Sequence, residues 1–434
     1  MTTQVLIVLA VIVGMSILFV SEALPLAFTA FLVPVLLQAS GLLDHTQAWA
    51  GFSNYIVIAQ VSLFIIGAVF AKSSFLSRIR NWTRRAMQTE NKLLMLVTVL
   101  LVMVLLSIAI TATSAIAVTA PILMELCDMI GLDRKTAFKT ISDSGQWAST
   151  LTLPIGASFS FFLLCNSYLE LAGADVRFGL FDFFVIKGPT VLVILAWAVW
   201  ENWRTLSCKT ITSPVLIKKS EALQTSYTPR QDALAQIIFF LNLFLMILST
   251  MMKNTLIQPY LISAFFAVVC VALHLISDRE AFSSVSWSVI FLIAGTLPLS
   301  TAIKVSGTDV WIAELFQAYL PTMRSPFFLS AAFCIASCLL TQFASNTAVI
   351  AIFVPIGIGI SAVYGMDPRL VVSAVFCGAS MAFATPMATT SAAYVYEKCG
   401  FSMKEFIRLG WRPYVLLLFS YIIWAPAALR LLYP

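Results

Sequence analysis

Long apolar runs recur along this chain and restrict it to folds that a lipid bilayer can surround. The first run, residues 5–20, holds no charged side chain. Only 11% of all residues are charged, whereas soluble domains have about 25%. A helix needs about 20 apolar residues to cross the hydrocarbon core. Further windows of this kind lie at 24–42, 54–72, 93–130, 143–170, 178–200, 232–251, 254–276, 285–303, 326–365, 370–397 and 411–433. The sequence therefore predicts an all-α polytopic membrane protein.

Two of these runs, 93–130 and 326–365, are too long for a single crossing. Each carries polar residues near its middle, at 111–114 and at 345–347. A helix that enters the membrane, breaks at a polar tip and returns to its own side explains both runs. The sequence predicts a re-entrant hairpin at each place.

Basic residues are distributed unevenly between the loops. If both hairpins are re-entrant, the other segments cross and the N-terminus lies outside, 19 of the 26 Lys and Arg residues fall on the inner side. Positive charge collects in cytoplasmic loops. We therefore predict a multi-pass inner (plasma) membrane protein with both termini external, on the periplasmic side. The net charge of +6 gives no reason to expect a nucleic-acid partner.

The chain divides near its middle at a polar, basic linker, 201–231, which we expect to be cytoplasmic. The first repeat, 1–200, is predicted to contain scaffold spans in 4–72, a hairpin at 93–130, a broken helix at 143–170 and a span at 178–200. The second repeat, 232–434, is predicted to contain scaffold spans in 232–303, a hairpin at 326–365, a broken helix at 370–397 and a span at 411–433. Each repeat also has a short amphipathic segment before its hairpin, at 74–90 and at 305–320.

Residue spacing supports this repeat. Thr111 precedes Pro121 by 10 positions, and Ser345 precedes Pro355 by 10. Five crossings per repeat is an odd number, so the second repeat must be inverted relative to the first. Inverted repeats with interrupted helices at matching places are the sequence signature of a secondary transporter.

Four breaks in the helices are predicted at membrane depth: the hairpin tips and the loops at 152–156 and 385–389. Unwound backbone is tolerated there only where it is buried or lines a wet cavity. A new helix begins after each break, and its N-terminus carries free N–H groups and partial positive charge. Four such ends from two inverted repeats favour a bound anion.

Hydroxyl pairs stand one helical turn before each tip, Ser107 with Thr111 and Thr341 with Ser345. Such oxygens suit a small cation beside the anion. The alternative is that they bond the carbonyl one turn back or join neighbouring helices.

Other chemistry has little support in the sequence. The two histidines, His45 and His274, lack partners at metal-ligand or hydrolase spacing, so no catalytic residue and no metal other than sodium is predicted. Asp143 is expected to start the first broken helix as its N-cap. Lys187 is expected to extend to the membrane interface. No carboxylate relay suggests proton coupling.

The second repeat resembles the divalent anion:sodium symporter (DASS) family of the ion-transporter superfamily. The similar stretches are Ser345-Asn346-Thr347-Ala348 closing on Pro355, the run 379–386 ending Thr385-Pro386, and the run 394–410. The resemblance covers essentially the whole chain. It implies a homodimer with a scaffold and a mobile transport domain, working by an elevator motion. It also implies sodium-coupled uptake, or exchange, of dicarboxylates, citrate or sulfate, with sodium as coupling ion and no other cofactor.

The resemblance also implies the binding residues. Substrate contacts are expected at Thr113, Asn346, Thr347, Thr385 and Pro386. One sodium site is expected at Thr341, Ala344, Ser345, Asn346 and Ala384, and the other at Ser107, Thr111 and Thr152.

Two departures from the family pattern stand out. The first tip has Ala112 where the family has an amide, so it has one side-chain oxygen fewer. The family's Pro-Pro-Asn after the second break is replaced by Thr390-Ser391-Ala392.

The sequence thus favours a cation-coupled secondary transporter of a small anion. A sodium/proton antiporter or a metalloid-oxyanion exporter of the same superfamily is the nearest alternative. A membrane-embedded lipid-modifying enzyme would need a nucleophile and base that these histidines do not supply. A purely structural scaffold would leave the matched broken helices unexplained.

Overall fold

The computed structural model describes residues 2–21, 23–86, 91–109, 112–151, 159–206, 227–252, 258–319, 325–386 and 388–433. Within these ranges every regular element is a helix. The first half of the chain forms α1 (Thr3–Ser21), α2 (Leu26–Ala39), α3 (His45–Ala48), α4 (Tyr55–Ala71), α5 (Phe75–Ala86), α6 (Lys92–Ala109), α7 (Ala112–Ile130), α8 (Arg134–Ala148), α9 (Phe159–Leu171) and α10 (Asp182–Thr205).

The described residues of the second half of the chain are also helical. It forms α11 (Pro229–Met251), α12 (Pro259–Ala272), α13 (Asp278–Ser284), α14 (Trp287–Thr296), α15 (Pro298–Ser306), α16 (Thr308–Tyr319), α17 (Pro326–Leu340), α18 (Asn346–Val363), α19 (Pro368–Ser380), α20 (Thr390–Cys399) and α21 (Met403–Leu432). Pro298 lacks the N–H that would continue α14, so the span predicted at 285–303 is divided at Leu297 into α14 and α15.

Six helical segments among the described residues are long and apolar enough to cross a membrane, and eight shorter apolar helices accompany them. The long ones are α7, α10, α11, the α14–α15 pair, α18 and α21. Many large apolar side chains on these helices are exposed, for example Leu192, Phe419 and Ile423. Such side chains suit a lipid environment, and the predicted all-α multi-pass membrane protein is confirmed.

Each overlong apolar run is a pair of packed helices. The run at 93–130 is α6 and α7, and the run at 326–365 is α17 and α18. The second helix begins within the predicted polar tip in both cases, at Ala112 and at Asn346, and the Ser345 side chain caps the second of these helices. That these pairs re-enter the membrane without crossing it stays a prediction.

Two helix starts differ from the sequence prediction. The helix α8 begins at Arg134 rather than at 143, and its N-cap is Asp133, whose carboxylate accepts the Thr136 N–H at 2.8 Å. Asp143 lies inside this helix, so the N-cap prediction for it was wrong. The helix α21 begins at Met403 rather than at 411. In both places polar residues form the first turns, which a hydropathy window omits.

The packing joins the two halves of the chain. The helices α2 and α4 of the first half pack on α14 and α12 of the second, and α10 packs on α21. The helices α6 and α7 pack on α8, as α17 and α18 pack on α19. Across the halves, α7 contacts α20 and α18 contacts α9. The second helix of each hairpin therefore contacts the helix that follows the break of the other half.

The crossing of α2 and α14 depends on a glycine. A Cβ atom at Gly295 would lie 2.2 Å from the backbone oxygen of Ala30. Gly67, which the sequence places in a related run on α4, has no atom within 4 Å of its virtual Cβ. Close approach of the neighbouring backbone therefore requires a glycine at position 295 but not at position 67.

The start of α21 is held by a capping box. The Glu405 carboxylate accepts the Ser402 backbone N–H at 2.9 Å and pairs with Lys135 Nζ at 2.9 Å. The Ser402 backbone N–H, the Lys135 ammonium and the Ser402 hydroxyl lower the pKa of Glu405 from 4.5 to about 2. This cap ties α21 to the start of α8.

Candidate functional site

The tip of the second hairpin holds a cluster of three oxygen atoms. Thr341 Oγ1 lies 2.8 Å from Asn346 Oδ1 and 2.9 Å from the backbone oxygen of Ala379, and it is directed at both. A hydroxyl has one hydrogen, so the two acceptors share it. The Thr341 side chain is fully buried. Hard cations prefer such groups of oxygens, and Ala379 at the end of α19 adds a backbone oxygen that the sequence did not point to.

Gln342 connects this tip to the second break. Its Nε2 donates to the backbone oxygens of Cys338 and Met381, both at 2.8 Å, and its Oε1 accepts the Ala384 N–H at 3.0 Å. The Thr385 hydroxyl in turn donates to the Gln342 backbone oxygen at 2.6 Å. Sequence reasoning missed Gln342, although a buried amide next to Thr341 in an apolar hairpin is itself a signal.

The other predicted residues of the second repeat surround this connection. Ser345 is the N-cap of α18, since its hydroxyl accepts the Ala348 N–H at 3.2 Å. Asn346 and Thr347 form the first turn of α18 and are half-buried, whereas Ala344 and Pro386 are buried. The partial positive charge at this helix end therefore lies beside the oxygen cluster.

The first hairpin reaches the second repeat directly. Thr113 in the first turn of α7 has its Oγ1 2.6 Å from Thr390 Oγ1 at the start of α20. Next to this contact, the Ser391 hydroxyl donates to Gln146 Oε1 of α8 at 2.9 Å. The residues that replace the family's Pro-Pro-Asn thus make polar contacts with the first hairpin and with α8.

Ser107 lies before the first tip, fully buried on α6. Its hydroxyl has no hydrogen-bond partner within the described part of the chain. It faces Gly145 of α8, where a Cβ atom would lie 2.6 Å from the hydroxyl oxygen. Its oxygen is therefore available as a ligand. Thr111 and Thr152, predicted beside it, lie outside the described residues.

A buried ion pair lies on α8. Lys139 Nζ lies 2.6 Å and 2.5 Å from the two carboxylate oxygens of Asp143, and both side chains are almost fully buried. The same ammonium donates to the backbone oxygen of Phe383 at 2.7 Å and lies 4.4 Å from the centre of the Phe406 ring. The first repeat thereby holds the backbone of the second break, immediately before Ala384.

Lys187 on α10 is fully buried, so the prediction that it extends to the interface was wrong. Its ammonium donates to the Thr150 hydroxyl and points to the backbone oxygen of Trp147 at 3.4 Å. It also lies 3.7 Å from the centre of the Trp147 ring. The side chain turns inward because the last turn of α8 offers oxygen acceptors and an aromatic face.

The described residues place a polar hairpin tip, an interrupted helix between α19 and α20, and buried charges among packed apolar helices. A family model described as CitMHS, citrate transporter, matches residues 16–376. This match covers well over half of the chain, which therefore belongs to the CitMHS citrate transporter family.

Individual relatives agree with this assignment. An uncharacterized transporter of Synechocystis is 30% identical over 155 residues, a stretch that covers 36% of this chain and only 25% of that protein. The sodium-dependent dicarboxylate transporter SdcS of Staphylococcus saprophyticus is 22% identical over 93% of this chain and 82% of its own length. The matches confirm the resemblance to the DASS family.

A solved structure shares the fold. The YdaH transporter of Alcanivorax borkumensis superposes with a TM-score of 0.60 at 14% identity, over 97% of this chain and 99% of that one. That transporter is described as having an unusual topology. At this identity the likeness concerns the fold alone.

Proposed function

We propose that this protein is a sodium-coupled secondary active transporter of a small multivalent anion, either a dicarboxylate or citrate, with sulfate as the inorganic candidate. The observation that carries the proposal is the buried cluster of Thr341 Oγ1, Asn346 Oδ1 and the Ala379 backbone oxygen. Sodium binds among such side-chain and unwound backbone oxygens in transporters of this type. The name of SdcS, a sodium-dependent dicarboxylate transporter, supports the same coupling ion.

The anion would bind next to this sodium ion. The first turn of α18 supplies the Asn346 amide and the Thr347 hydroxyl at a positively polarised helix end. The starts of α7 and α20 supply the hydroxyls of Thr113 and Thr390, which already lie in contact. The family description, citrate transporter, supports a carboxylate substrate.

The transport cycle would be an elevator motion between two inverted repeats, 1–200 and 232–434, joined by the linker at 201–231. The hairpins and broken helices would move as one body against α1, α2, α4, α11, α12 and the α14–α15 pair. The equivalent pairing of α2 with α14 and of α4 with α12 supports the repeat. We further propose a homodimer with both chain termini outside the cell.

Uptake into proteoliposomes tests the proposal. Radiolabelled succinate, citrate and sulfate are offered with an inward sodium gradient, and with potassium as the control. We expect at least one anion to accumulate only with sodium. Accumulation that is independent of sodium would overturn the coupling, and no uptake of any of the three would overturn the substrate class.

A matched pair of variants tests the sodium site. Thr341→Val removes an oxygen of the cluster, whereas Ser107→Ala removes one from the first repeat, which already lacks an amide at Ala112. We expect the larger rise in half-saturating sodium for Thr341→Val. Equal shifts, or a larger one for Ser107→Ala, would contradict the assignment.

A sodium/proton antiporter is the second candidate. A proton carrier needs ionisable groups buried in the membrane, and Lys139 and Asp143 form a buried ion pair. A pH-sensitive dye trapped in the same liposomes distinguishes the two. Antiport predicts that sodium alone changes the internal pH without any anion present.

A further inference from the structure

Among the described residues the Lys187 ammonium has no carboxylate partner, and this distinguishes it from the buried Lys139. Lys139 is paired with Asp143, whereas none of the ion pairs among the described residues includes Lys187. The acceptors of the Lys187 ammonium are a hydroxyl, a backbone oxygen and the face of Trp147. A buried charge without a counter-ion is costly. Its position therefore calls for a functional explanation.

The ammonium lies at the C-terminal end of α8. The last carbonyls of a helix lack intrahelical donors and carry partial negative charge. The hydroxyls of Ser149 and Thr150 bond the oxygens of Gln146 and Trp147, and Lys187 Nζ adds a full positive charge at the same turn. In transporters with broken helices, such C-terminal ends coordinate the coupling cation. The Lys187 ammonium, which is covalently attached to α10, therefore lies in the kind of position in which a coupling cation binds.

The corresponding helix end of the second repeat has no such charge. At the end of α19, the oxygens of Ala379 and Met381 are contacted by the neutral side chains of Thr341 and Gln342. The Lys139 ammonium, which donates to the Phe383 backbone oxygen in the same break, is paired with Asp143, so a mobile cation can bind there without an unpaired positive charge beside it. The two repeats thus differ in which of them carries an unpaired resident charge among the described residues.

The groups around the Lys187 ammonium allow no other compensation among the described residues. They are Trp147 of α8, Thr150 just after that helix, the Phe376 ring of α19 at 5.5 Å and the neighbouring Cys377 thiol. A buried thiol is neutral under ordinary conditions. None of these groups offsets the charge of a Lys187 ammonium at the end of α8.

We infer that Lys187 is the resident cation of the first repeat and takes the place of one of two coupling sodium ions, so that a single sodium ion accompanies each anion. This inference rests on the proposed sodium-coupled function and adds its stoichiometry. The missing amide at Ala112 supports the same inference, because it leaves the first tip with fewer ligands for a free cation.

The test measures the ratio of ²²Na⁺ to radiolabelled succinate or citrate taken up by proteoliposomes that contain the full-length protein. The parent is expected to move one sodium ion per anion, with a Hill coefficient for sodium of about one. Lys187→Met keeps the apolar stem but has no charge and no oxygen. It is expected to weaken the apparent anion affinity about tenfold, which corresponds to about 1.4 kcal/mol, with an unchanged ratio.

The Lys187→Ser variant is expected to increase the number of sodium ions moved per anion. Substitution of a purely structural residue would not have this effect. The shorter side chain leaves room beside the Thr150 hydroxyl and the Trp147 carbonyl and adds an oxygen. The sodium-to-anion ratio is expected to rise from one towards two. Size-exclusion profiles and unfolding temperatures establish that both variants are folded, and Lys187→Arg, which retains the charge, is expected to keep the parental ratio.

Three results would overturn the inference. A parent protein that moves two sodium ions per anion has no need of a resident cation. A folded Lys187→Met variant with an anion affinity within twofold of the parent shows that the charge has no role. A parent without any sodium-dependent anion uptake overturns the proposed function and the inference together, whereas the first two results leave the proposed function intact.

Discussion

Removing one partner of the Lys139–Asp143 pair should destabilise the protein far more than removing both. Lys139→Met leaves the Asp143 carboxylate buried without a counter-ion and deprives the Phe383 backbone oxygen of its donor. Breaking a buried ion pair by removing one partner costs about 3–5 kcal/mol, and the lost neutral acceptor adds about 1 kcal/mol. We therefore expect a loss of about 4–6 kcal/mol in the free energy of unfolding.

The double variant Lys139→Met with Asp143→Leu replaces both charges by apolar groups. Substituting a whole buried pair in this way is often neutral or stabilising, so only the unpaired Phe383 oxygen should remain as a cost of about 1 kcal/mol. Equilibrium unfolding in mixed detergent micelles, followed by tryptophan fluorescence, measures the three variants. The double variant should be more stable than either single one.

Transport provides an independent readout for the same variants. Because Lys139 holds the backbone immediately before Ala384, its loss should also raise the half-saturating sodium concentration. The reasoning fails if the double variant is as destabilised as the sum of the single ones, since the two side chains would then act independently. It also fails if all three variants keep the parental unfolding free energy.

Three further predictions concern other regions. Asn346→Ala should weaken anion binding on the order of tenfold to a hundredfold, because one contact of about 1.5–3 kcal/mol is lost, and unaltered binding in a thermal-shift titration would refute it. Gly295→Ala should destabilise the protein while Gly67→Ala should not, since only the first Cβ meets backbone atoms; equal unfolding temperatures would contradict this. The lowered pKa of Glu405 contributes stability that is present above pH 4.5 and is lost as the pH falls towards 2. The difference in unfolding temperature between the parent and Glu405→Gln should therefore shrink from pH 6 to pH 3, and a constant difference would count against the assignment.

The sequence could predict the membrane fold because hydropathy and helix breaks are local properties. The helix α18 begins within the predicted polar tip and α20 begins just after the predicted break, and Thr341 and Asn346 meet because they lie five positions apart. The contact between Thr113 and Thr390 joins residues 277 positions apart and has no local signal. The same holds for the bond from Lys139 to Phe383, which spans 244 positions.

The wrong prediction for Lys187 has a physical cause. A lysine near the end of an apolar segment usually extends to water, and that rule considers the segment alone. The outcome here is decided by α8, which brings the Trp147 ring and two oxygen acceptors to the ammonium. Gln342 was missed for a similar reason, since its partners lie on the far side of a break.

The Gln342 side chain contacts the second break through main-chain atoms of that break. Its amide contacts the Met381 oxygen and the Ala384 N–H, and its own carbonyl receives the Thr385 hydroxyl. Any residue at 381 or 384 that keeps the same backbone path satisfies these bonds equally well. Mutations that exchange side chains in this loop can therefore accumulate during evolution without dismantling the hairpin tip. Related transporters can therefore differ in the side chains of this loop while they retain the same backbone contacts at the hairpin tip.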